Sequence, residues 1–454
     1  MTRPREIGAP TIHDSGSSDI PSRFFPQTAC AYLTNLVNGF SISGDRSRKL
    51  GGIGGVLMLR SSKKNGLATI AQLSGAILFV SLSAGAQAPD TFRHPGVLVN
   101  QAQLDFITSQ VNTSTDPWLT AFESTSTSSY GSLSYTPHPW QTVECGPSSH
   151  PNYGCSDERN DALAAYTQAL LWYITGDPDY AEKSIAIMNA WSSTLTGGHI
   201  NSNAPLQAGW TGSVWPEAAE IIRYTYDGWS ADDIAQFQNM LTTQYVPNLI
   251  NGAPCKNGNW ELIITEALMH ISVFNENQSW FNTAVFFWRA RVPAYMYLTS
   301  DGLTPVPPPR CGTSVTTYWG QTQFVDGLAQ ESARDFGHTF WGLAASVNTA
   351  ETALQQGLDL YWENADRIIA AFEFHNYINN GGVAPDGINI GPIGGNGATM
   401  EIVYNHYVNR LGYRMPETAQ QIDLRRPTGA NYFLAWETLT HALAGWVGLE
   451  NEGF

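Results

Sequence analysis

The chain has 454 residues, enough for one large domain or two ordinary ones. Its 23 Lys and Arg against 39 Asp and Glu give a net charge of −16, which excludes nucleic-acid binding through a general basic field. The 15 Trp, 19 Tyr and 19 Phe suit a large core, and exposed members of this set suit recognition surfaces.

A secretion signal is predicted well after the first methionine. A basic stretch at 60–64 precedes a mostly apolar run over 67–82, and an A-x-A cleavage motif ends at Ala88. An uncleaved membrane anchor is the alternative, although the apolar run is short and interrupted by polar residues. We therefore divide the chain into an upstream leader or wrongly assigned start, a signal peptide and one mature domain, at residues 1–57, 58–88 and 89–454.

Removal of the signal makes the protein more acidic. Residues 1–88 carry 9 of the 23 basic and 4 of the 39 acidic residues, which leaves a net charge of −21 for 89–454. An anionic polymer must then be bound by a local cluster of the few arginines. We expect a secreted or periplasmic monomer with no nucleic-acid partner and no membrane attachment after cleavage.

The mature chain contains four cysteines in two sequence-local pairs, Cys145 with Cys155 and Cys255 with Cys311. An even number in an exported chain indicates two disulfides, and local pairing is our preference among the three connectivities. No C-x-x-C motif is present, and we expect neither a metal nor another cofactor. The histidines that remain as metal ligands are too scattered to form a site, namely His375, His406 and His441.

Helical periodicity dominates the mature chain. A helix over 161–175 is followed by Gly176-Asp177-Pro178, which stops one helix and starts the next. Ten to twelve helices paired in hairpins, with few strand signals, predict an all-α fold: an α/α toroid or barrel of stacked helical hairpins, complete or incomplete. Further helices are predicted at 178–195, 215–226, 231–249, 259–274, 280–298, 326–347, 351–374, 399–411 and 436–447.

The segment Gln330–Thr339 carries the most concentrated polar chemistry. If it is helical, Glu331, Arg334, Asp335 and His338 share one face. Either this face is solvated and held by weak ion pairs, or it forms the wall of a cleft. The small residue Gly342 beside it favours the cleft. The opposite face is a predicted core stripe of Phe336, Phe340, Leu343 and Val347.

Two other polar groups are candidates for a site. Asn257 and Asn259 lie with Trp260 at a predicted helix start, where an N-cap and turn is the alternative explanation. The segment 401–410 has a geometric difficulty, because Tyr404 and His406 lie about 160° apart on a regular helix. Residues predicted on a loop that suits a sugar are Gln207 and Trp210.

These motifs together resemble the alginate lyase family of α/α-toroid polysaccharide lyases over nearly all of 95–450. The matching blocks include Asp161-Ala-Leu-Ala-Ala and the Asn259-Trp260 helix start. The most specific block is Gln330-Glu-Ser-x-Arg-Asp-x-Gly-His338, and another is Tyr404-Asn-His-Tyr-x-Asn-Arg410. The branch that the sequence resembles most is polysaccharide lyase family 38, which includes alginate and glucuronan lyases. The Asn-Asn-His tripeptide of a better-known branch is absent.

The resemblance implies β-elimination on a uronate polymer, an anionic polysaccharide. Such an enzyme neutralises the uronate carboxylate, removes the C5 proton and protonates the leaving O4. By resemblance, Tyr404 is base and acid, with Tyr407 as the alternative one turn away. Asn259, Arg334 and His338 hold the carboxylate, and Glu331 orients or supplies a proton. The residues expected to bind substrate are Asn257, Trp260, His406, Arg410, Gln207 and Trp210.

Two other functions compete with this hypothesis. An α/α-toroid glycoside hydrolase needs two carboxylates across the scissile bond, and Glu331 with Glu401 or Asp335 is the candidate pair. A non-catalytic polysaccharide-binding protein would depend on Trp210 and Trp260 instead. The reaction product distinguishes a glycoside hydrolase from a lyase, because only a lyase leaves an unsaturated uronate that absorbs in the ultraviolet.

Overall fold

The structure is a computed structural model that describes residues 88–308, 310–311, 318–394 and 400–449. The predicted leader and all but the last residue of the predicted signal peptide lie outside these ranges, so the division at 57 and 88 stays a prediction. Within the described ranges, no helix combines the length and the apolar character needed to cross a membrane.

Helices make up most of the described chain. The first eight are α1 (Gln101–Asn112), α2 (Trp118–Ser126), α3 (Cys155–Thr175), α4 (Pro178–Thr194), α5 (Ala204–Thr225), α6 (Ala231–Met240), α7 (Val246–Leu249) and α8 (Gly258–Phe274). The others are α9 (Gln278–Tyr295), α10 (Phe336–Gln355), α11 (Leu360–Glu363), α12 (Ala365–Asn379), α13 (Met400–Tyr404), α14 (Pro416–Arg425) and α15 (Glu437–His441). Two π-helical segments are Leu241–Tyr245 and Asn405–Arg410.

The strands are short and sit between helices. Two antiparallel pairs are β1 (Gly96–Val97) with β2 (Val99–Asn100) and β6 (Ala430–Asn431) with β7 (Leu434–Ala435). A three-stranded sheet places β3 (Val143–Cys145) between β4 (Asn152–Tyr153) and β5 (His199–Ile200). This sheet ties the segment between α2 and α3 to the segment between α4 and α5.

The helices pack in a ring. Successive contacts run from α3 to α5, α8, α10, α13 and α15, and α15 contacts α1 and α2, which in turn pack on α3. Trp436, just before α15, donates its indole N–H to Thr167 Oγ1 of α3 at 2.8 Å. This ring of contacts confirms the predicted helical toroid.

The central helices of the ring are apolar around most of their circumference. Every residue of α8 except Trp260 is buried, which is the behaviour of a helix that is surrounded by other helices. Between α3 and α4, Gly176 has φ 69° and Asp177 accepts from the backbone of Asp179, with Pro178 at the first helical position. The predicted helix end at Gly176 and the predicted helix start at Asp177-Pro178 are confirmed.

Three predicted helix boundaries are wrong in ways that affect the site. The predicted helix 326–347 begins only at Phe336, because Asp335 accepts a hydrogen bond from His338 N and caps α10. The segment predicted from 215 starts at Ala204, so Gln207 and Trp210 lie on a helix and not on a loop. The predicted helix 399–411 changes to π-helical geometry at Asn405.

Candidate active site

A buried hydrogen-bond cluster joins the start of α8 to the turn before α10. Asn259 Nδ2 lies 2.7 and 2.6 Å from the two carboxylate oxygens of Glu331, and Asn259 N lies 3.1 Å from Oε2. Both residues have zero exposure. The cluster therefore fixes the turn that carries Arg334, rather than offering Asn259 or Glu331 directly to solvent.

Arg334 connects this buried cluster to a histidine. Its Nη1 donates to Glu331 Oε1 at 2.7 Å, and its Nη2 lies 2.9 Å from His338 Nε2. A guanidinium has only donors, so Nε2 of His338 must be the acceptor in this pair. His338 Nδ1 is 2.7 Å from Asp335 Oδ2 and donates to that carboxylate. His338 is thus a neutral imidazole with its basic nitrogen at Nε2.

The three residues at the outer side of the cluster reach solvent. The side chains of Arg334, Asp335 and His338 are 24, 28 and 32% exposed, whereas Glu331 is fully buried. A carboxylate with an oriented imidazole and a guanidinium, open on one side, suits proton transfer next to an anion. These side chains are carried by a turn and a helix N-terminus rather than by one helix face, and their role as a cleft wall stays a prediction.

The space beside Gly342 is occupied by Tyr295 and is not part of the cleft. A Cβ at Gly342 would lie 2.4 Å from the Tyr295 hydroxyl. That hydroxyl is 3.2 Å from Glu331 Oε2 and contacts two backbone carbonyls of α10. Burial, followed by the nearby Glu331 charge, raises the pKa of Tyr295 well above its ordinary value, so it is a supporting donor.

Aromatic rings flank the exposed side of this cluster. Trp319 lies under the Arg334 guanidinium at 5.3 Å, and Trp341 lies edge-on to His338 at 5.3 Å between ring centroids. Trp341 also contacts Tyr432 and Trp210, at 4.8 and 5.6 Å. Sequence reasoning missed Trp319, Trp341 and Tyr432; the i, i+3 spacing of His338 and Trp341 was the available signal.

The other predicted residues on α5 and α8 have different surroundings. Gln207 is fully buried and bridges Glu158 Oε2 and Arg159 Nη1, each at 2.7 Å, so its amide is already satisfied. Trp210 is 5% exposed and belongs to the aromatic cluster. Asn257 occupies the N-cap position of α8 without a side-chain cap bond. Trp260 is half-buried, with the Lys256 ammonium 5.1 Å from its ring.

The motif at 401–410 is not joined to this cluster. Arg410 forms a fully buried ion pair with Glu351 at 2.7 Å, and His406 has zero exposure and stacks on Tyr361. Burial lowers the pKa of His406 to about 3. Neither side chain is presented to solvent, so the structure gives no support to the prediction that these two residues contact substrate.

The two tyrosines of that motif differ in exposure. Tyr407 is fully buried and donates to the Tyr361 carbonyl at 3.1 Å. Tyr404 is half-buried, and burial and then Asp423 raise its pKa; the other charged groups near it are Arg426, Glu373 and Glu401. Among the described residues, no hydrogen bond joins Tyr404 to Arg334 or His338.

Both predicted disulfides are present. Cys145 is bonded to Cys155 and Cys255 to Cys311. The second bridge lies just before α8 and is reinforced by Arg310, whose Nη2 is 2.8 Å from Glu261 Oε1. The prediction of local pairing is confirmed, and the bridge secures the chain immediately before the Asn259 helix.

Three buried side chains could in principle hold a metal ion, although the sequence predicts none. Oxygen and nitrogen atoms of Glu217, Glu266 and His270 lie within 4.8 Å of one another. Both ring nitrogens of His270 are engaged, Nδ1 with Ser213 O and Nε2 with Thr352 Oγ1, each at 2.9 Å. Burial raises the pKa of both carboxyls well above the ordinary value, which favours bound protons over a cation.

Solved structures with the same fold are alginate lyases. Alginate lyase A1-III from Sphingomonas species A1 is 15% identical, with a TM-score of 0.55, over 78% of this chain and 97% of that one. A tyrosine-to-phenylalanine variant of A1-III complexed with a tetrasaccharide is 17% identical, with a TM-score of 0.52 and the same coverage. A search of curated protein sequences found no match.

The helical toroid together with a family match identifies an enzyme of the polysaccharide lyase class. The family model described as alginate lyase matches residues 149–379, half of the chain, and this segment contains Asn259, Glu331, Arg334 and His338. The chain therefore belongs to the alginate lyase family, and an anionic polysaccharide is its substrate. This confirms the resemblance identified from the sequence motifs.

Proposed function

We propose that this enzyme cleaves a mannuronate- or glucuronate-type polymer by β-elimination at the solvent-exposed group formed by Arg334, Asp335 and His338. The observation that carries the proposal is the geometry of His338, whose Nδ1 lies 2.7 Å from Asp335 Oδ2 and whose Nε2 lies 2.9 Å from the Arg334 guanidinium. A base and a carboxylate-binding group in contact are what C5 proton abstraction requires.

Arg334 neutralises the uronate carboxylate in this mechanism. Its Nη2 leaves His338 Nε2 as the substrate carboxylate approaches, which frees the basic nitrogen. Glu331, itself held by Asn259, accepts from the other side of the guanidinium, so the arginine is oriented before substrate binds. Substrate binding and activation of the base are thereby one event.

His338 then carries the proton. Nε2 takes the C5 proton, the C5–H electrons form the C4–C5 double bond, and the C4–O4 bond breaks. The imidazolium returns the proton to O4, which leaves an unsaturated uronate end and neutral His338. One carrier suffices only when the C5 proton and O4 lie on the same side of the ring, as in mannuronate and glucuronate. Guluronate needs a second carrier on the opposite side.

The assignment differs from the sequence-based one in its proton carrier. Tyr404 was expected there from the resemblance, but its charged neighbours belong to a different group, with Asp423 and Arg426. His338 takes over that role in the present proposal, and Tyr404 remains the alternative carrier. Arg334 and Glu331 keep the roles the sequence predicted, whereas Asn259 acts through Glu331.

The structure favours β-elimination over glycoside hydrolysis, because the candidate carboxylates of a hydrolase are already paired. Glu401 is paired with Arg426, and Glu331 is buried against Asn259 and Arg334. Neither carboxylate is therefore free to act as the acid or base of a hydrolase. Secretion or periplasmic export, a single mature domain over 89–454, and action as a monomer complete the proposal.

The test is an ultraviolet product assay on poly-mannuronate, poly-guluronate, glucuronan and hyaluronan with wild type and His338→Gln. We expect absorbance from unsaturated ends with poly-mannuronate or glucuronan and little with poly-guluronate, and we expect His338→Gln to be inactive. Reducing ends without ultraviolet absorbance would indicate hydrolysis and overturn the proposal.

A further inference from the structure

Arg159 forms no ion pair within the described ranges and lies two aromatic rings away from the proposed catalytic group. Arg159, on α3, donates to Gln207 Oε1 at 2.7 Å and to Ser156 Oγ at 3.1 Å. Among the described residues, no carboxylate lies within 4 Å of its guanidinium, and its side chain is half-buried. In a chain with a net charge of −16, a half-exposed arginine that has no acid beside it requires an explanation.

The neighbouring carboxylate does not pair with Arg159 because it is used elsewhere. Glu158 is fully buried, and its oxygens accept from His199 Nε2 and Gln207 Nε2, each at 2.7 Å. Gln207 in turn accepts from Arg159. The amide therefore holds Arg159 in place while the negative charge stays inside the toroid, and the remaining N–H groups of the guanidinium are available for a ligand.

Aromatic rings connect Arg159 to His338. The guanidinium stacks on Tyr432 at 4.6 Å, Tyr432 contacts Trp341 at 4.8 Å, and Trp341 contacts His338 at 5.3 Å. Arg159, Tyr432, Trp341 and His338 are all half-buried and so partly open to solvent. The rings of Tyr432 and Trp341 therefore lie between the Arg159 guanidinium and His338, which contacts Arg334.

The backbone holds Tyr432 in an unusual conformation. Tyr432 has φ 57° in the two-residue turn between β6 and β7. A bulky residue rarely adopts positive φ, and such strain persists where the surroundings fix a residue in a required position. Here the strained turn places the tyrosine ring against Arg159, 273 residues away in sequence.

From these contacts we infer that Arg159, Tyr432 and Trp341 form a binding subsite for a second uronate residue of the same polymer chain. The inference rests on the proposed function, since it takes the substrate to be a uronate polymer. Arg159 binds the carboxylate of a sugar that is not cleaved, and the two rings stack on the sugars between it and the reacting one. Arg334 binds the carboxylate at the reacting sugar.

The subsite makes affinity depend on chain length and on charge away from the cleaved bond. A substrate too short to reach Arg159 gains nothing from it. A polymer with neutral sugars at that position loses a charge-assisted hydrogen bond. The enzyme should therefore prefer continuous uronate blocks to chains in which uronates alternate with neutral sugars.

Binding measurements test the subsite independently of turnover. Titration calorimetry is carried out with uronate dimers and hexamers and with carboxyl-reduced hexamers, using wild type, Arg159→Gln, Arg159→Lys and Arg289→Gln, all four carrying His338→Gln so that the oligomers are not cleaved during the titration. We expect Arg159→Gln to bind the uronate hexamer about 10- to 100-fold more weakly, as for the loss of a hydrogen bond to a charged group, with no change for the dimer or the reduced hexamer. Arg159→Lys should recover part of the loss, and the surface control Arg289→Gln should bind as wild type does.

The outcomes separate this inference from the proposed reaction. Equal hexamer affinity of wild type and Arg159→Gln overturns the subsite, as does a wild type that does not bind the hexamer. A loss that is equal for dimer and hexamer also overturns it, because the effect would then be structural. If the selective loss is observed but no unsaturated product forms from any uronate, the subsite stands and the lyase mechanism fails.

Discussion

Asp335 holds His338 twice, through the backbone and through the ring. Its Oδ1 accepts from His338 N at 2.8 Å as the cap of α10, and its Oδ2 lies 2.7 Å from His338 Nδ1. One carboxylate thus starts the helix and selects the tautomer that leaves Nε2 basic. Helix initiation and orientation of the imidazole are coupled in a single side chain.

We expect Asp335→Asn to separate these two roles. Asparagine caps helices as well as aspartate does, so the free energy of unfolding should change by only a few tenths of a kcal/mol. The amide no longer fixes the tautomer or stabilises the imidazolium, and kcat should fall about 100-fold, within the usual contribution of general acid–base catalysis. Initial rates of ultraviolet product formation and urea unfolding measure the two effects. An unchanged kcat would show that His338 is not the proton carrier.

Tyr404→Phe distinguishes the sequence-based assignment from the structural one. We expect the variant to keep the wild-type kcat, because Tyr404 lies with Asp423 and Arg426. Tyr407→Phe is the matched control: it should lose about 1 kcal/mol of stability with its hydrogen bond to the Tyr361 carbonyl, and keep its rate. If Tyr404→Phe folds, binds substrate and is inactive, the tyrosine mechanism holds and His338 is not the carrier.

The helical toroid was predictable because it depends on local periodicity and on caps such as Gly176-Asp177-Pro178. The turn that carries the proposed catalytic residues was not predictable in this way. Glu331 and Arg334 have helical spacing, yet the turn they occupy is fixed by Asn259, 72 residues earlier. The Asp335 cap was the local signal against a helix that continues through this segment.

The burial of His406 and Arg410 in the motif at 401–410 was not predictable for a related reason. Its Tyr, His and Arg are residue types typical of active sites, but the same types also satisfy one another in a core. Arg410 pairs with the buried Glu351, and His406 stacks on Tyr361. Sequence spacing carries no information about burial of a polar residue, so only the tertiary structure separates these two cases.

Arg410→Met is expected to destabilise the fold rather than weaken substrate binding. It leaves Glu351 charged and buried without its cationic partner, which costs about 3–5 kcal/mol. Arg289→Met removes a half-exposed pair with Glu363 and should cost at most about 1 kcal/mol. Urea unfolding at pH 7 gives both values. Similar losses of unfolding free energy in the two variants would contradict a structural role for Arg410.

The second disulfide should stabilise the fold more than the first. Cys255 and Cys311 close a loop of 56 residues and Cys145 and Cys155 one of 10. Loop-closure entropy gives about 4 and about 3 kcal/mol for the two bridges. We expect Cys255→Ser with Cys311→Ser to lower the unfolding free energy by the larger amount. Thermal and urea unfolding of the two double variants decides the order; a larger loss for the short loop would contradict it.

Glu266 lies close to Glu217 inside the toroid, and burial raises the pKa of both carboxyls well above their ordinary value. In Glu266 the hydrogen bond from Asn348 offsets part of this rise. The folded protein therefore keeps a proton on Glu266 at pH values where the unfolded chain, with a pKa of 4.5, has lost it. Stability from this group is complete below pH 4.5 and declines as the pH rises toward the folded-state pKa.

Glu266→Gln replaces the protonated acid with a neutral side chain of the same shape. It should match wild type at pH 4 and be more stable at pH 8, since each pH unit in which only the unfolded state is ionised costs wild type about 1.4 kcal/mol. Urea unfolding at both pH values measures the difference, with exposed Glu123→Gln as the control. A Glu266→Gln variant that loses stability at pH 8 would mean that the folded protein holds Glu266 ionised against a cation, because only a charged carboxylate would then be missed.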